Sequence, residues 1–170
     1  MIRVVLTGSE STGKTELARA LGAHYSVPWA AEYVRDYMEA KGSALDESDV
    51  EPIARGQMAR EDDAVARATR LVILDTDLLS TVIYARHYYG SCPEWIERAA
   101  RERLADFYLL LDIDVPWTPD AQRDRGEQRH EIHALFLGAL RTAGARFATI
   151  RGHWDDRQAR AIHVIDAVLS

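Results

Sequence analysis

The segment GSESTGKT, residues 8–15, constrains the fold more than any other feature of this sequence. It matches the pattern G-x-x-x-x-G-K-[ST], it follows a β-branched apolar run at 2–6, and it opens an amphipathic stretch. The glycines let backbone amides wrap around a phosphate, and the amino end of a helix adds its positive dipole. This segment, the phosphate loop, therefore predicts a strand–loop–helix unit that binds a nucleoside triphosphate. The alternative is a glycine-rich turn that holds no ligand.

Lysine occurs only at positions 14 and 41 among the 21 basic residues of the chain, and one of the two lies in the phosphate loop. An ammonium group is a compact point charge, which suits a tight loop better than the planar guanidinium of arginine. We expect Lys14 to reach the β- and γ-phosphates and the Thr15 hydroxyl to ligate Mg²⁺. The nucleotide contacts predicted at the loop are Gly8, Ser11, Thr12, Gly13, Lys14, Thr15 and Glu16.

Composition limits the classes of protein to consider. The 170 residues, 47% hydrophobic and 28% charged, suffice for one packed domain, and the net charge of −6 argues against a protein that coats nucleic acid. The single cysteine, Cys92, excludes an internal disulfide, and no apolar run spans a bilayer or resembles a signal peptide. We expect one cytoplasmic domain, residues 1–170, with neither nucleic acid nor membrane as a partner. The oligomeric state stays open.

Strand and helix patterns alternate along the chain. The strands predicted are Ile2 to Leu6, a short one in VPWAAEYVRDY that leads into a polar stretch, and the runs RLVILDTD, DFYLLLDID and ARFATI. The helices predicted are KTELARALGAHY, ending near Gly22, then DESDVEPIARGQMAREDDAVARATR, LLSTVIYARHYYG, PEWIERAARERLA, HEIHALFLGALRTAG and DRQARAIHVIDAVL. This alternation predicts an α/β fold, in which a mostly parallel sheet is covered on both faces and binds ligands beyond the carboxyl ends of its strands.

Carboxylates follow two of the predicted strands. Asp75 and Asp77 end the strand in RLVILDTD, where a carboxylate lies beside the phosphate loop and can hold Mg²⁺ or its waters. Helix capping is the alternative, above all for Asp77. Glu32 ends the short second strand and can accept the proton of an attacking hydroxyl, while Arg35 can orient the acceptor or neutralise phosphate. A solvated helix start with an Arg–Glu pair explains Glu32 and Arg35 equally well.

Three further segments are candidates for ligand contacts. The polar stretch PDAQRDRGEQRHE lies where a phosphoryl-transfer enzyme carries a lid, predicted at about 117–130, whose Arg123 and Arg129 can stabilise the transferred group. Ordinary surface arginines are the alternative. Trp29 can either stack on an aromatic base or belong to the core. The loop RGHWDDR, which contains Trp154, lies where α/β folds border the adenine.

These segments, in this order, resemble the ribosylnicotinamide kinase domain of NadR-type proteins, a branch of the P-loop kinases. The matching segments span nearly the whole chain: GSESTGKTELARAL, WAAEYVRDY, IARGQ, LDTD, PWTPDAQR with RHEI behind it, and WDDR. The resemblance implies a three-layer P-loop kinase fold with a short lid. It also implies that ATP and Mg²⁺ serve to phosphorylate the 5′-hydroxyl of nicotinamide riboside, which gives nicotinamide mononucleotide for NAD salvage.

The resemblance also strengthens roles for single residues. It places Glu32, Arg35 and Asp77 around the ribose and the reacting hydroxyl, and Trp29 on the nicotinamide side. We expect Glu32 to be the general base, with Asp77 as the second choice. The predicted substrate contacts are Trp29, Glu32, Tyr33, Arg35, Asp77 and Tyr84; the catalytic residues are Lys14, Glu32, Asp77 and Arg123; the metal ligands are Thr15 and Asp75; and Arg123 and Trp154 complete the nucleotide contacts.

Two departures from the family pattern bear on this interpretation. PDAQR, residues 119–123, stands where many relatives have ADG-x-R, so the lid geometry is expected to differ. The adenylyltransferase and DNA-binding segments of larger relatives do not fit in 170 residues, so we expect the reaction to stop at the mononucleotide. Two alternatives stay open: a P-loop kinase for another nucleoside, a nucleotide or a small metabolite, and a regulatory nucleotide hydrolase.

Overall fold

A computed structural model describes residues 1–115 and 128–170, in which strands and helices alternate. The strands are β1 (Ile2–Thr7), β2 (Trp29–Ala30), β3 (Leu71–Asp75), β4 (Phe107–Leu111) and β5 (Phe147–Ile150). The helices are α1 (Lys14–Tyr25), α2 (Tyr33–Lys41), α3 (Val50–Arg67), α4 (Leu78–Tyr89), α5 (Glu94–Glu102), α6 (Arg129–Thr142) and α7 (Trp154–Leu169), with a 3₁₀ turn at Glu47–Asp49. None of these helices combines the length and apolarity needed to cross a bilayer.

The described strands form one parallel sheet in the order β2-β3-β1-β4-β5. The chain leaves the central strand β1 toward one edge and later returns to the other side. The phosphate loop, which follows β1, therefore lies where the strand order reverses, and ligands bind at such points in open α/β sheets. This arrangement confirms the expected α/β fold with helices on both faces.

Side chains of β1 alternate between two hydrophobic cores. Val4 and Leu6 pack with α1 and α7 on one face of the sheet, and Val5 packs with α3, α4 and α6 on the other. Strands β3 and β4 are almost entirely buried because helices cover both faces, which explains their unbroken apolar sequences. The helices that cover the two faces of the sheet therefore form two separate layers, and either layer can contribute residues to a site.

Two details of the secondary structure differ from expectation. Helix α1 does not end near Gly22 but continues to Tyr25, and Ser26, at φ +53°, caps it in the left-handed conformation. Gly22 is instead a packing position, since a Cβ there would lie 2.9 Å from Cδ1 of Trp29. The second strand has only two residues, and the polar stretch behind it is helix α2, with Glu32 as its N-cap.

Candidate active site

The phosphate loop is shaped by backbone conformations that glycine adopts readily. Gly8 has φ +131°, and a Cβ there would lie 2.9 Å from the Leu111 carbonyl oxygen. Gly13, at φ +84°, precedes α1. The Lys14 side chain is buried and its Nζ donates to the Ser9 carbonyl at 2.9 Å. An ammonium is thus held against the loop backbone, ready to exchange one carbonyl oxygen for a phosphate oxygen.

Thr15 and Asp75 meet at the start of α1. The Thr15 hydroxyl donates to Asp75 Oδ2 at 2.6 Å, and Asp75 Oδ1 is buried with no hydrogen-bond partner among the described residues. Burial raises the pKa of Asp75, and the nearby charge of Lys14 opposes that shift. A hydroxyl and a carboxylate are the hard oxygen ligands that Mg²⁺ takes alongside water and phosphate oxygens. The two side chains therefore fit a magnesium site.

A cavity of about 650 Å³ lies beside the phosphate loop, between α2, α3 and α4. We call it the acceptor cavity. Tyr84, on its wall, donates a hydrogen bond from its hydroxyl to Glu10 Oε1 of the phosphate loop at 3.4 Å. No lysine or arginine belongs to the described part of the lining, which consists of Glu32, Val34, Met38, Ala44, Leu45, Asp46, Asp49, Val50, Ile53, Gln57, Thr76, Ser80, Thr81, Tyr84, Ala85, Tyr88, Tyr89 and Gln128.

Glu32 lines the acceptor cavity, and Arg35 lies between Glu32 and Glu10 of the phosphate loop. The Arg35 guanidinium is 3.9 Å from Glu32 Oε2 and 3.6 Å from Glu10 Oε2. The structure thus brings the predicted pair together with a third charged residue that the sequence analysis missed. Glu10 occupies a variable position of the loop pattern, so the motif carries no signal for it.

Gln57 joins three segments of the acceptor site. Its Oε1 accepts a hydrogen bond from the Tyr33 amide at 3.0 Å, at the start of α2. Its Nε2 donates to Glu61 Oε1 at 3.1 Å and to the Thr76 carbonyl at 3.4 Å. The segment IARGQ contained this residue, but its role depends on partners distant in sequence. Gln57 fixes the position of Glu32 relative to the end of β3.

The structure places Asp77 as a helix cap, which is the alternative to its predicted role in catalysis and substrate binding. Its side chain is buried, Oδ1 accepts from the Leu79 amide at 3.1 Å, and Oδ2 accepts from the Tyr108 hydroxyl at 2.6 Å. It caps α4 and does not line the acceptor cavity. Burial raises the pKa of this carboxyl. These contacts favour the capping alternative for Asp77.

Trp29 and Tyr33 do not line the acceptor cavity either. The Trp29 ring packs with the α1 and α7 core, beneath the Arg19 guanidinium at 5.7 Å, on the sheet face opposite the cavity. The Tyr33 ring lies against Gly56 of α3. Neither side chain is therefore placed for the predicted substrate contact in this cavity, and the tyrosines of α4 form its aromatic wall.

The nucleotide side of the phosphate loop is bounded by α6 and α7. Trp154 is 42% exposed, and a Cβ at Gly13 would lie 3.9 Å from its Cζ3, so this ring borders the loop. Arg129 is buried and donates to the Ser11 carbonyl at 3.5 Å. The Glu16 side chain is exposed and pairs with a neighbouring arginine on α1, away from the loop. Arg123 and lid residues 117–127 lie outside the described residues.

Comparison with known proteins agrees with this geometry. Residues 3–157 match the profile of a family described as an AAA domain. The chain belongs to this family. It is also 28% identical over 169 residues to the trifunctional NAD biosynthesis/regulator protein NadR of Escherichia coli strain K12, covering 95% of this chain and 41% of NadR. The chain thus spans less than half the length of that relative.

Solved structures show the same likeness. NadR in complex with NR superposes with a TM-score of 0.82 at 28% identity, over 98% of this chain and 50% of that chain. NadR in complex with NAD and AMP-PNP gives 0.83 at 26% identity, over 98% and 49%. The thymidylate kinase of Ehrlichia chaffeensis, 17% identical over 97% of this chain and 98% of its own, shares the fold with a TM-score of 0.70. The fold is that of the P-loop kinases.

Proposed function

We propose that this chain is a cytoplasmic, magnesium- and ATP-dependent kinase that phosphorylates the 5′-hydroxyl of nicotinamide riboside. The observation that carries the proposal is the acceptor cavity beside the phosphate loop. Its volume of about 650 Å³ suits a small molecule such as a nucleoside. The likeness to NadR, of which one structure holds NR and another AMP-PNP, supports the choice of substrates.

The charge of the acceptor cavity supports a nucleoside over a nucleotide. An acceptor that already carries a phosphate needs cationic side chains around that phosphate. The described lining offers three carboxylates, Glu32, Asp46 and Asp49, and no lysine or arginine. Lys41, which is not part of this lining, pairs with Asp46 and Asp49. Nicotinamide riboside carries a positive charge on its ring and no phosphate. It therefore fits this lining better than a nucleoside monophosphate does.

The reaction follows from the positions of the charged groups. Lys14 would contact the β- and γ-phosphates of a triphosphate in the phosphate loop, and Thr15 and Asp75 would hold a Mg²⁺ ion, which would supply positive charge against the phosphates. The 5′-hydroxyl of the riboside enters from the acceptor cavity and attacks the γ-phosphorus as its bond to the ADP oxygen breaks. Glu32 takes the hydroxyl proton, and Arg35 orients Glu32. Positioning and charge neutralisation provide most of the catalysis in such transfers.

A coupled assay of ADP release with a panel of acceptors tests the proposal. The panel contains nicotinamide riboside, nicotinic acid riboside, adenosine, uridine and thymidine monophosphate, and mass spectrometry identifies the product. We expect nicotinamide riboside to give the highest kcat/KM and Glu32→Gln to lower kcat. A higher kcat/KM for a neutral nucleoside would support the kinase activity but show that nicotinamide riboside is not the preferred substrate. If ADP is released at the same rate whether or not an acceptor is present, the protein is instead a nucleotide hydrolase.

A further inference from the structure

Arg157, in the first turn of α7, is 2% exposed, and no step of the proposed reaction uses it. Its guanidinium donates to three backbone carbonyls. Nε binds the Gly152 oxygen at 2.8 Å, Nη1 binds the Thr12 oxygen at 3.3 Å, and Nη2 binds the Asp112 oxygen at 3.0 Å. Nη2 also donates to the Asp114 carboxylate. One buried cation thus holds three separate loops.

Those three loops meet on the nucleotide side of the site. Thr12 belongs to the phosphate loop, Asp112 and Asp114 follow β4, and Gly152 precedes α7. Asp114 strengthens the junction because its Oδ2 accepts from the Gly152 amide at 2.8 Å. A guanidinium presents five donors in a fixed planar fork, so it can bind several carbonyls at once, whereas the three donors of a lysine radiate from one atom.

The contact with Thr12 bears on how the phosphate loop presents its amides. In a trans peptide the carbonyl and the following amide point in opposite directions. A Thr12 carbonyl turned toward Arg157 therefore directs the Gly13 amide away from Arg157. Trp154, one turn before Arg157 on the same helix, lies beside Gly13, since a Cβ there would be 3.9 Å from Cζ3 of Trp154. Arg157 thus fixes the orientation of the Thr12–Gly13 peptide and the position of the Trp154 ring next to it.

We propose that Arg157 is a positioning residue for the nucleotide, which fixes the phosphate loop to the loops after β4 and before α7. This inference rests on the ATP half of the proposed function. Loss of the guanidinium lets the Thr12–Gly13 peptide and Trp154 move independently, so nucleotide binding weakens. The acceptor cavity lies between α2, α3 and α4 and shares none of these contacts, so acceptor binding stays as it is.

Calorimetric titration with magnesium AMP-PNP tests this without an acceptor. The variants are Arg157→Lys, which keeps the charge but not the fork, and Asp114→Asn, at the more exposed end of the junction. Arg160→Lys, an exposed position three residues further along α7, is the matched control. Losing part of a network of charged hydrogen bonds weakens binding about tenfold. We expect this for Arg157→Lys, a smaller loss for Asp114→Asn, and no change for Arg160→Lys.

The outcomes separate the two proposals. A wild-type protein that binds no AMP-PNP refutes the proposed function itself. If the wild type and Arg157→Lys bind AMP-PNP with the same Kd, only the inference about Arg157 is overturned. A purely structural role would lower Tm and raise the KM values for ATP and acceptor in parallel, which also overturns it. Should Arg157→Lys fail to fold, Asp114→Asn decides: a raised KM for ATP with an unchanged acceptor KM supports the positioning role, and unchanged values for both contradict it.

Discussion

Replacing Gly56 with alanine tests how α3 supports the wall of the acceptor cavity. The ring of Tyr33 lies directly on this glycine: a Cβ added there would be 2.0 Å from Cε1 and 2.1 Å from Cζ of the ring. No real Cβ tolerates such distances, so either the ring or the start of α2 must move. Arg60 stacks on the same ring at 5.1 Å, and displacement of the ring disrupts that contact as well.

The size of the effect follows from two opposing terms. Overpacking of this kind costs about 1–3 kcal/mol, while exchanging glycine for alanine inside a helix gains about 1 kcal/mol. Gly56→Ala should therefore lower the free energy of unfolding by up to about 2 kcal/mol. Gly138 is exposed on α6, and no atom lies within 4 Å of a Cβ added there. At this position only the stabilising gain from exchanging glycine for alanine applies. Gly138→Ala should stabilise the protein by about 1 kcal/mol.

Urea unfolding measures both variants, and steady-state kinetics reports the functional consequence. Glu32 lines the cavity next to Tyr33, so Gly56→Ala should raise the KM for the acceptor and leave the KM for ATP unchanged. Gly138→Ala should change neither. If the two variants are stabilised equally and the acceptor KM stays the same, the Tyr33 ring does not pack on Gly56 of α3.

The remaining predictions concern buried charges. Lys14→Ala should cut kcat at least about a hundredfold, as loss of a transition-state contact does, with little change in the urea unfolding curve. Asp77→Ala removes a helix cap and leaves the Tyr108 hydroxyl without its acceptor, so it should cost roughly 2–4 kcal/mol of stability without a selective change in either KM. Burial raises the pKa of Glu61 to about 7. Because the unfolded chain releases this proton first, stability should fall by up to about 3 kcal/mol between pH 4 and pH 8. Urea unfolding of Glu61→Gln should lack that part of the pH dependence.

The features predicted correctly are those that local patterns encode. Strands β3 and β4 are continuous apolar runs because both their faces are buried, and the glycines of the phosphate loop fit its left-handed conformations. Helix α2 was harder to recognise because Val34 is its only fully buried residue, so its apolar stripe is nearly absent. Hydrophobic periodicity identifies an element only to the extent that the element is buried.

The direction of single side chains was the hardest feature to predict. Asp75 and Asp77, two residues apart, would share one face of a continuing strand. Thr76 between them has φ +70°, which turns the chain and sends Asp77 into the core. Nothing in the sequence signals a left-handed threonine. Trp29 presents a related difficulty, since a strand of two residues shows no alternation from which to assign its face.

The roles of Glu10 and Arg157 depend on tertiary contacts. Arg157 donates a hydrogen bond to Thr12, which lies 145 positions away in the chain. Glu10 accepts one from the hydroxyl of Tyr84, 74 positions away. Short motifs describe residues close together in the chain, so they carry no information about such pairs. The segments WDDR and IARGQ marked the right regions, yet only the folded structure explains what their arginine and glutamine hold.

The lining of the acceptor cavity has an evolutionary consequence. Apart from Gln128, every described residue on that wall falls between positions 32 and 89 of the chain. One contiguous stretch of the gene therefore encodes most of the acceptor cavity, while the phosphate loop and the residues that border it on the nucleotide side, apart from Asp75, lie on either side of that stretch. Recombination that exchanged this stretch between relatives could change which compound is phosphorylated and keep the energy source the same.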